Sequence, residues 1–99
     1  EKNNIVFVDV TADWCVTCKI NKISTLDKKE MKSFFKENNV KLLRADWTNK
    51  NIEIQNYMKS FNKYGIPLNI VYGPKNKEGT VLGELLSKKK LIEAINEVK

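Results

Sequence analysis

The run IVFVDV at 5–10 is almost continuously apolar and rich in β-branched residues. That pattern predicts a strand buried on both faces, from the middle of a parallel or mixed sheet. From Val16 to about Lys22 the chain turns polar with helical spacing. TLDKKEMKSFFKEN at 25–38 predicts a second helix, with Asp27 and Glu30 as its capping pair and Met31, Phe34 and Phe35 on its apolar face. VKLLRAD at 40–46 predicts the next strand. WTNKN then turns the chain, Thr48 or Asn49 offers a cap, and IEIQNYMKSFNKY at 52–64 predicts a helix with Ile54, Tyr57, Met58 and Phe61 inward. YGIP breaks that helix. LNIVY at 68–72 predicts a third strand, GPKNKEG a turn, and TVLGELL at 80–86 a fourth strand in a hairpin. Ser87 is placed to cap a last amphipathic helix carrying Leu91, Ile92, Ile95 and Val98 on one stripe.

The predicted order is β-α-α-β-α-β-β-α. Strands joined through helices run parallel with a right-handed crossover, and strands joined by a tight turn run antiparallel. The expectation is therefore an α/β domain: a mixed four-stranded sheet, two strands parallel and then an antiparallel hairpin, with helices on both faces. Ninety-nine residues make one domain, 1–99, with no repeat, linker or low-complexity segment.

Composition changes this picture little. The apolar fraction of 41% is that of an ordinary globular domain. No run approaches the roughly 18 apolar residues of a membrane span. EKNNIVFVDV leads straight from a charged, amide-rich start into a strand, without a leader layout, so the chain reads as a domain excised from a larger protein. The net charge of +6, from 18 basic and 12 acidic residues, is spread over helices and turns beside asparagines and glutamates, which suits a solvated surface. SKKK at 87–90 and PKNKEG at 74–79 do not interleave aromatics with lysines, so no nucleic-acid platform is expected. Histidine is absent, which removes Ser-His, Cys-His and His-metal chemistry.

The candidate chemistry lies in DVTADWCVTCKIN, which holds the two cysteines, Cys15 and Cys18. A structural zinc site wants four Cys or His ligands, and the chain offers two thiols. A disulfide closing so short a loop stabilises weakly. Two unrelated buried thiols are a further bland reading. The alternative is a redox couple. Cys15 would stand where a strand ends and a helix begins, among unpaired N–H groups that favour thiolate. Cys18 would lie about one turn deeper on the same side. Cys15 would attack a partner's disulfide and Cys18 would resolve the mixed disulfide. A Cys-x-x-Cys after a strand in a βαβ-type pattern is the cue for such a site.

VDVTADWCVTCK resembles the active-site strand, turn and helix start of thioredoxin-like domains, and YGIP followed by LNIVY resembles their cis-proline segment. ADWCVTCK, ADWTN, GIPLNIVYGP and VLGELLS are similar to the C-terminal domain of the DsbD family of thiol:disulfide interchange proteins, over nearly the whole chain. The resemblance implies a periplasmic protein-disulfide reductase domain. It would take electrons from a transmembrane domain and pass them to an N-terminal domain, which serves disulfide isomerases and cytochrome c maturation. Its partners would be other protein disulfides and dithiols, with the membrane reached only through a neighbouring domain. It would act as a monomer, without metal or organic cofactor, because the Cys15–Cys18 dithiol itself carries the electrons. A free-standing thioredoxin-like reductase and a non-catalytic binding module of the same fold are the alternatives.

The resemblance also assigns neighbours. Asp9 interrupts an apolar strand, where a carboxyl is costly unless it has a partner or a task. Either it sits at a wet end of the strand, or it matches the buried acid of thioredoxins and exchanges a proton with Cys18, which joins it to Cys15 and Cys18 as a catalytic residue. Lys22 stands where related DsbD domains often carry a second acid. Val16 and Thr17 separate the cysteines without histidine or proline, so nothing over-stabilises the thiolate, which favours a reductant over a strong oxidant. Pro67 either simply starts a strand or follows a cis Ile66–Pro67 bond, with the Ile66 backbone pairing with an extended partner chain. Tyr64 and Gly65 would form the adjoining loop. Trp14 is either a core aromatic or an apolar wall beside the sulfur, and Trp47 is expected to be structural. Trp14, Val16, Thr17, Ile66 and Pro67 are thus the expected substrate-binding residues.

Overall fold

In this computed structural model, which describes residues 4–99, the strands are β1 (Ile5–Thr11), β2 (Val40–Asp46), β3 (Leu68–Gly73) and β4 (Asn76–Val81). The helices are α1 (Val16–Asn21), continued by a π-helical segment at Lys22–Leu26, then α2 (Lys29–Glu37), α3 (Ile52–Lys59) and α4 (Lys88–Val98). Residues 1–3, part of the start in which no leader layout is read, lie outside the described residues. The sheet order is β2-β1-β3-β4. β1 pairs parallel with β2 and antiparallel with β3, and β3 pairs antiparallel with β4. The predicted element order and mixed sheet are both present.

β1 is central, but its two faces are unequally covered. Ile5 and Phe7 enter the main core with Leu26, Met31, Leu91, Ile95 and Val98 from the helices of one face. Val10 joins Met58, Leu68 and Ile70 on the other, which α3 covers. Val6 and Val8 are only half-buried, so the expectation of burial on both faces holds for part of the strand. Burying a Leu, Ile or Phe side chain contributes roughly 1.5–3 kcal/mol, so this two-sided core suffices to order a sheet of this size.

Both ends of β4, the cap of α2, and the cap and end of α3 differ from the sequence reading. β4 begins at Asn76, because Gly73 pairs with Asn76 and the connection needs only Pro74 and Lys75. The Asn76 carboxamide organises this hairpin, accepting from the Glu78 and Gly79 N–H groups and donating to Thr80 Oγ1. The strand ends at Val81, where 80–86 was expected to continue it. The backbone of Glu84 and Leu86 is instead taken up by the Asn21 side chain, at 2.7 and 2.9 Å.

Asp27 does not cap α2. It stays helical at the end of the π-helical segment, and Lys28 takes the extended capping position without a side-chain bond. Glu30 pairs with Lys88 instead, at 3.0 Å. Asn51, not Thr48 or Asn49, caps α3, accepting from the N–H groups of Glu53 and Ile54. Thr48 is engaged elsewhere, bonded to Asp46 and to the Asp13 N–H. α3 stops at Lys59 rather than 64, with Asn62 in the left-handed conformation at φ 60° that closes many helices. Ser87 does cap α4, accepting from the Lys90 N–H at 3.2 Å.

Candidate active site

β1 ends at Thr11, and a three-residue turn delivers Cys15 to the start of α1. The turn is fixed from both sides. The Cys15 N–H donates to the Ala12 carbonyl at 3.2 Å, and the Asp13 N–H donates to Thr48 Oγ1 at 2.8 Å. The Trp14 indole N–H donates to the Thr48 carbonyl at 3.0 Å. The loop after β2 therefore anchors the loop after β1, which places the cysteines at the carboxyl ends of two parallel strands.

Cys15 is the N-cap of α1, and Cys18 lies one turn inside it. They form a disulfide, with Cα atoms 5.3 Å apart. The Cys18 N–H donates to Cys15 Sγ at 3.1 Å. That bond grows stronger when the acceptor becomes a thiolate, so the helix start holds Cys15 ready for the charged form. Both cysteines are 6% exposed, and Ile66 packs against them together with Ala12. The Ile66–Pro67 peptide bond is cis. Pro67 is buried, while Ile66 and Thr17 are half-buried.

Around this narrow opening the surface is apolar. Trp14 is 58% exposed and Val16 70% exposed, and Tyr64 is also open. The core-aromatic alternative for Trp14 is thus corrected: its indole bond to Thr48 holds the ring at the surface. Trp47, half-buried, packs on the α3 side of the sheet and sits 6.2 Å from the Trp14 ring.

Beneath the disulfide lies a cavity of about 200 Å³ lined by Asp9, Cys18, Lys22, Arg44 and Asp46 among others. Asp9 is buried, which sets aside the wet-end alternative. Burial pushes its carboxyl above the usual aspartate range, and Arg44 opposes that shift through its charge and a 3.4 Å bond from Nε to Oδ2. Lys22 lines this same cavity from the helix side. At the mouth, the Thr48 hydroxyl and N–H hold the Asp46 carboxyl below its usual range.

The sequence reading named Trp14, Val16, Thr17, Ile66 and Pro67 beside the cysteines, but missed Ala12, Arg44, Asn21 and Asn69 and gave Thr48 only as a helix cap. Arg44 faces Asp9 because β1 and β2 pair in that register, which no local pattern reveals. Asn69 did carry a signal, the same one as Asp9: a polar residue inside an apolar strand, and it is 1% exposed. Among the described residues no cluster of three or more Cys, His, Asp or Glu side chains could hold a metal.

Comparison with known proteins gives three kinds of match. The thioredoxin-like family model matches residues 1–74. The thiol:disulfide interchange protein DsbD of Yersinia pestis (strain Pestoides F) is 36% identical over 76 residues, 76% of this chain and 12% of that protein. DsbD of Haemophilus influenzae (strain PittEE) is 31% identical over 77 residues, 77% of this chain and 13% of that protein. The chain thus spans only about an eighth of the length of these curated relatives. Among solved structures, the reduced DsbD C-terminal domain of Neisseria meningitidis superposes with a TM-score of 0.76 at 24% identity, covering 99% of this chain and 83% of that one.

Proposed function

The chain belongs to the thioredoxin-like family, and from that premise we propose that it is a thiol-disulfide oxidoreductase working as a protein-disulfide reductase. The observation that carries this reading is the Cys15–Cys18 disulfide at the start of α1, with the Cys18 N–H aimed at Cys15 Sγ.

In the reduced form the Cys15 thiolate attacks a partner's disulfide. The Cys15–partner bond forms, the partner's S–S bond breaks, and the departing thiolate takes a proton from solvent. Cys18 then gives its proton to the Asp9 carboxylate and attacks Cys15 Sγ. The Cys15–partner bond breaks as the intramolecular disulfide re-forms, the expelled partner thiolate takes a proton from the solvent to which Asp9 returns its own, and the partner leaves as a dithiol. The net result is two electrons passed to the partner. Trp14, Val16, Thr17 and Ile66 supply the flat apolar rim on which an extended partner chain rests, and Pro67 fixes the loop that presents Ile66. The Val16–Thr17 spacer favours donation over acceptance of electrons.

The likeness to DsbD supports the finer reading. The domain is periplasmic, is recharged by a transmembrane domain, and discharges to an N-terminal domain of the same protein. Its charge carrier is the dithiol, without metal or organic cofactor, and it acts as a monomer.

Reduction of insulin disulfides by the dithiothreitol-charged protein tests the chemistry. The wild type should accelerate precipitation of the insulin B chain, and Cys15→Ser should fall to the uncatalysed rate. Activity retained in Cys15→Ser overturns the assignment. Equilibration with glutathione tests direction: a couple as oxidising as glutathione or more so reverses the electron flow proposed here.

A further inference from the structure

Asn69 lies on β3 directly opposite Asp9. Facing residues of paired strands present side chains on the same face, about 4.5–5.5 Å apart at Cβ. The Asn69 side chain is 1% exposed, and neither its amide nitrogen nor its amide oxygen has a hydrogen-bond partner among the described residues. A buried carboxamide without partners is costly, so its retention calls for a task. Its backbone is already engaged, accepting from the Leu82 N–H at 2.9 Å. On the other flank of Asp9, Arg44 occupies Oδ2. The sheet therefore carries a row of three polar side chains, Arg44, Asp9 and Asn69, beneath the redox helix.

We propose that Asn69 is a positioning residue for Asp9: its carboxamide turns onto the Asp9 carboxyl group and holds the base that takes the proton from Cys18. The inference rests on the oxidoreductase reading given above. A carboxamide suits both states of a carboxyl group, offering N–H to the carboxylate and C=O to the acid. The bond to the charged state is the stronger one, so Asn69 favours Asp9 as the ionised base. It works alongside Arg44 from β2 and Lys22 and Lys19 from the helix side, and against Asp13 and Asp46 at the cavity mouth. Burial opposes all of the favourable groups by raising the Asp9 pKa.

The test is the pH titration of the Asp9 carboxyl carbon by NMR in the oxidised chain, beside the pH profile of insulin reduction. Asn69→Leu should move the Asp9 midpoint and the acid limb of the profile up by about one pH unit, a tenfold loss of ionised base at a given pH. Asn69→Thr, which restores a hydroxyl on a strand-favouring side chain, should recover most of that shift. Titrations of both variants that superpose on the wild type overturn the proposal. A shift in Asn69→Leu that Asn69→Thr does not reduce also overturns it, by assigning the effect to packing. The NMR readout needs no reductase activity, so an active Cys15→Ser would sink the oxidoreductase reading and leave the Asn69–Asp9 contact standing or falling on its own.

Discussion

Asp9 titrates in surroundings that oppose its charge, and the sign of the consequence follows. Its pKa in the folded chain lies above the ordinary 3.8 because burial outweighs Arg44. The folded protein therefore binds this proton more tightly than the unfolded chain does. The stability so gained is fully present below pH 3.8 and is lost as the pH rises through the folded value. Asp9→Asn should remove that loss. Thermal unfolding should show the variant more stable than wild type at pH 7, with the two converging below pH 3.8; on the mechanism proposed above, its insulin reduction should slow. Arg44→Met should act in the opposite sense, moving the Asp9 midpoint further up in an NMR titration. Asp9 was legible in the sequence because a carboxylate in an apolar strand stands out. Arg44 was not, because its meaning depends on pairing with a strand that begins 35 residues before its own.

At the scale of elements, the redox helix is tied to the loop after β4 by one side chain. Asn21 donates to the Glu84 carbonyl and accepts from the Leu86 N–H, and nearby Thr25 Oγ1 donates to the Leu86 carbonyl at 3.3 Å. Asn21→Ala removes both Asn21 bonds, at about 1 kcal/mol each. A fall in Tm of roughly 4–8 °C per kcal/mol is expected, with faster exchange of the Leu86 amide. A change confined to Tm, with Leu86 exchange unaltered, would show that the tie is not what orders the loop. The same tie explains why TVLGELL misled as a strand. Its apolar pattern is real, but only Thr80, Val81 and Leu82 bond to β3, and the backbone of Glu84 and Leu86 bonds instead to the side chains of Asn21 and Thr25. Helix existence and helix faces were legible throughout, since Met31, Met58, Leu91, Ile95 and Val98 are all buried as their spacing predicts. Caps were legible only where the capping residue had no competing partner. Ser87 had none, whereas Thr48 was drawn to Asp46 and Asp13.

For the whole molecule, the last quarter of the chain completes the core although the family match ends at residue 74. Leu91, Ile95 and Val98 of α4 close the face that holds Ile5 and Phe7. At roughly 1.5–3 kcal/mol each, their loss approaches the entire stability of an ordinary domain. A chain ending at Val81 should show no cooperative unfolding transition by circular dichroism, and a sharp transition would place the folding unit in the first four-fifths. The overall architecture was legible because strand and helix periods alternate cleanly along the chain. The narrowness of the opening over Cys15 was not, because it depends on Ile66 arriving from 51 residues away. That narrowness works as electrical insulation. With Cys15 and Cys18 each 6% exposed and Ile66 packed against them, little of either residue meets the surrounding solution.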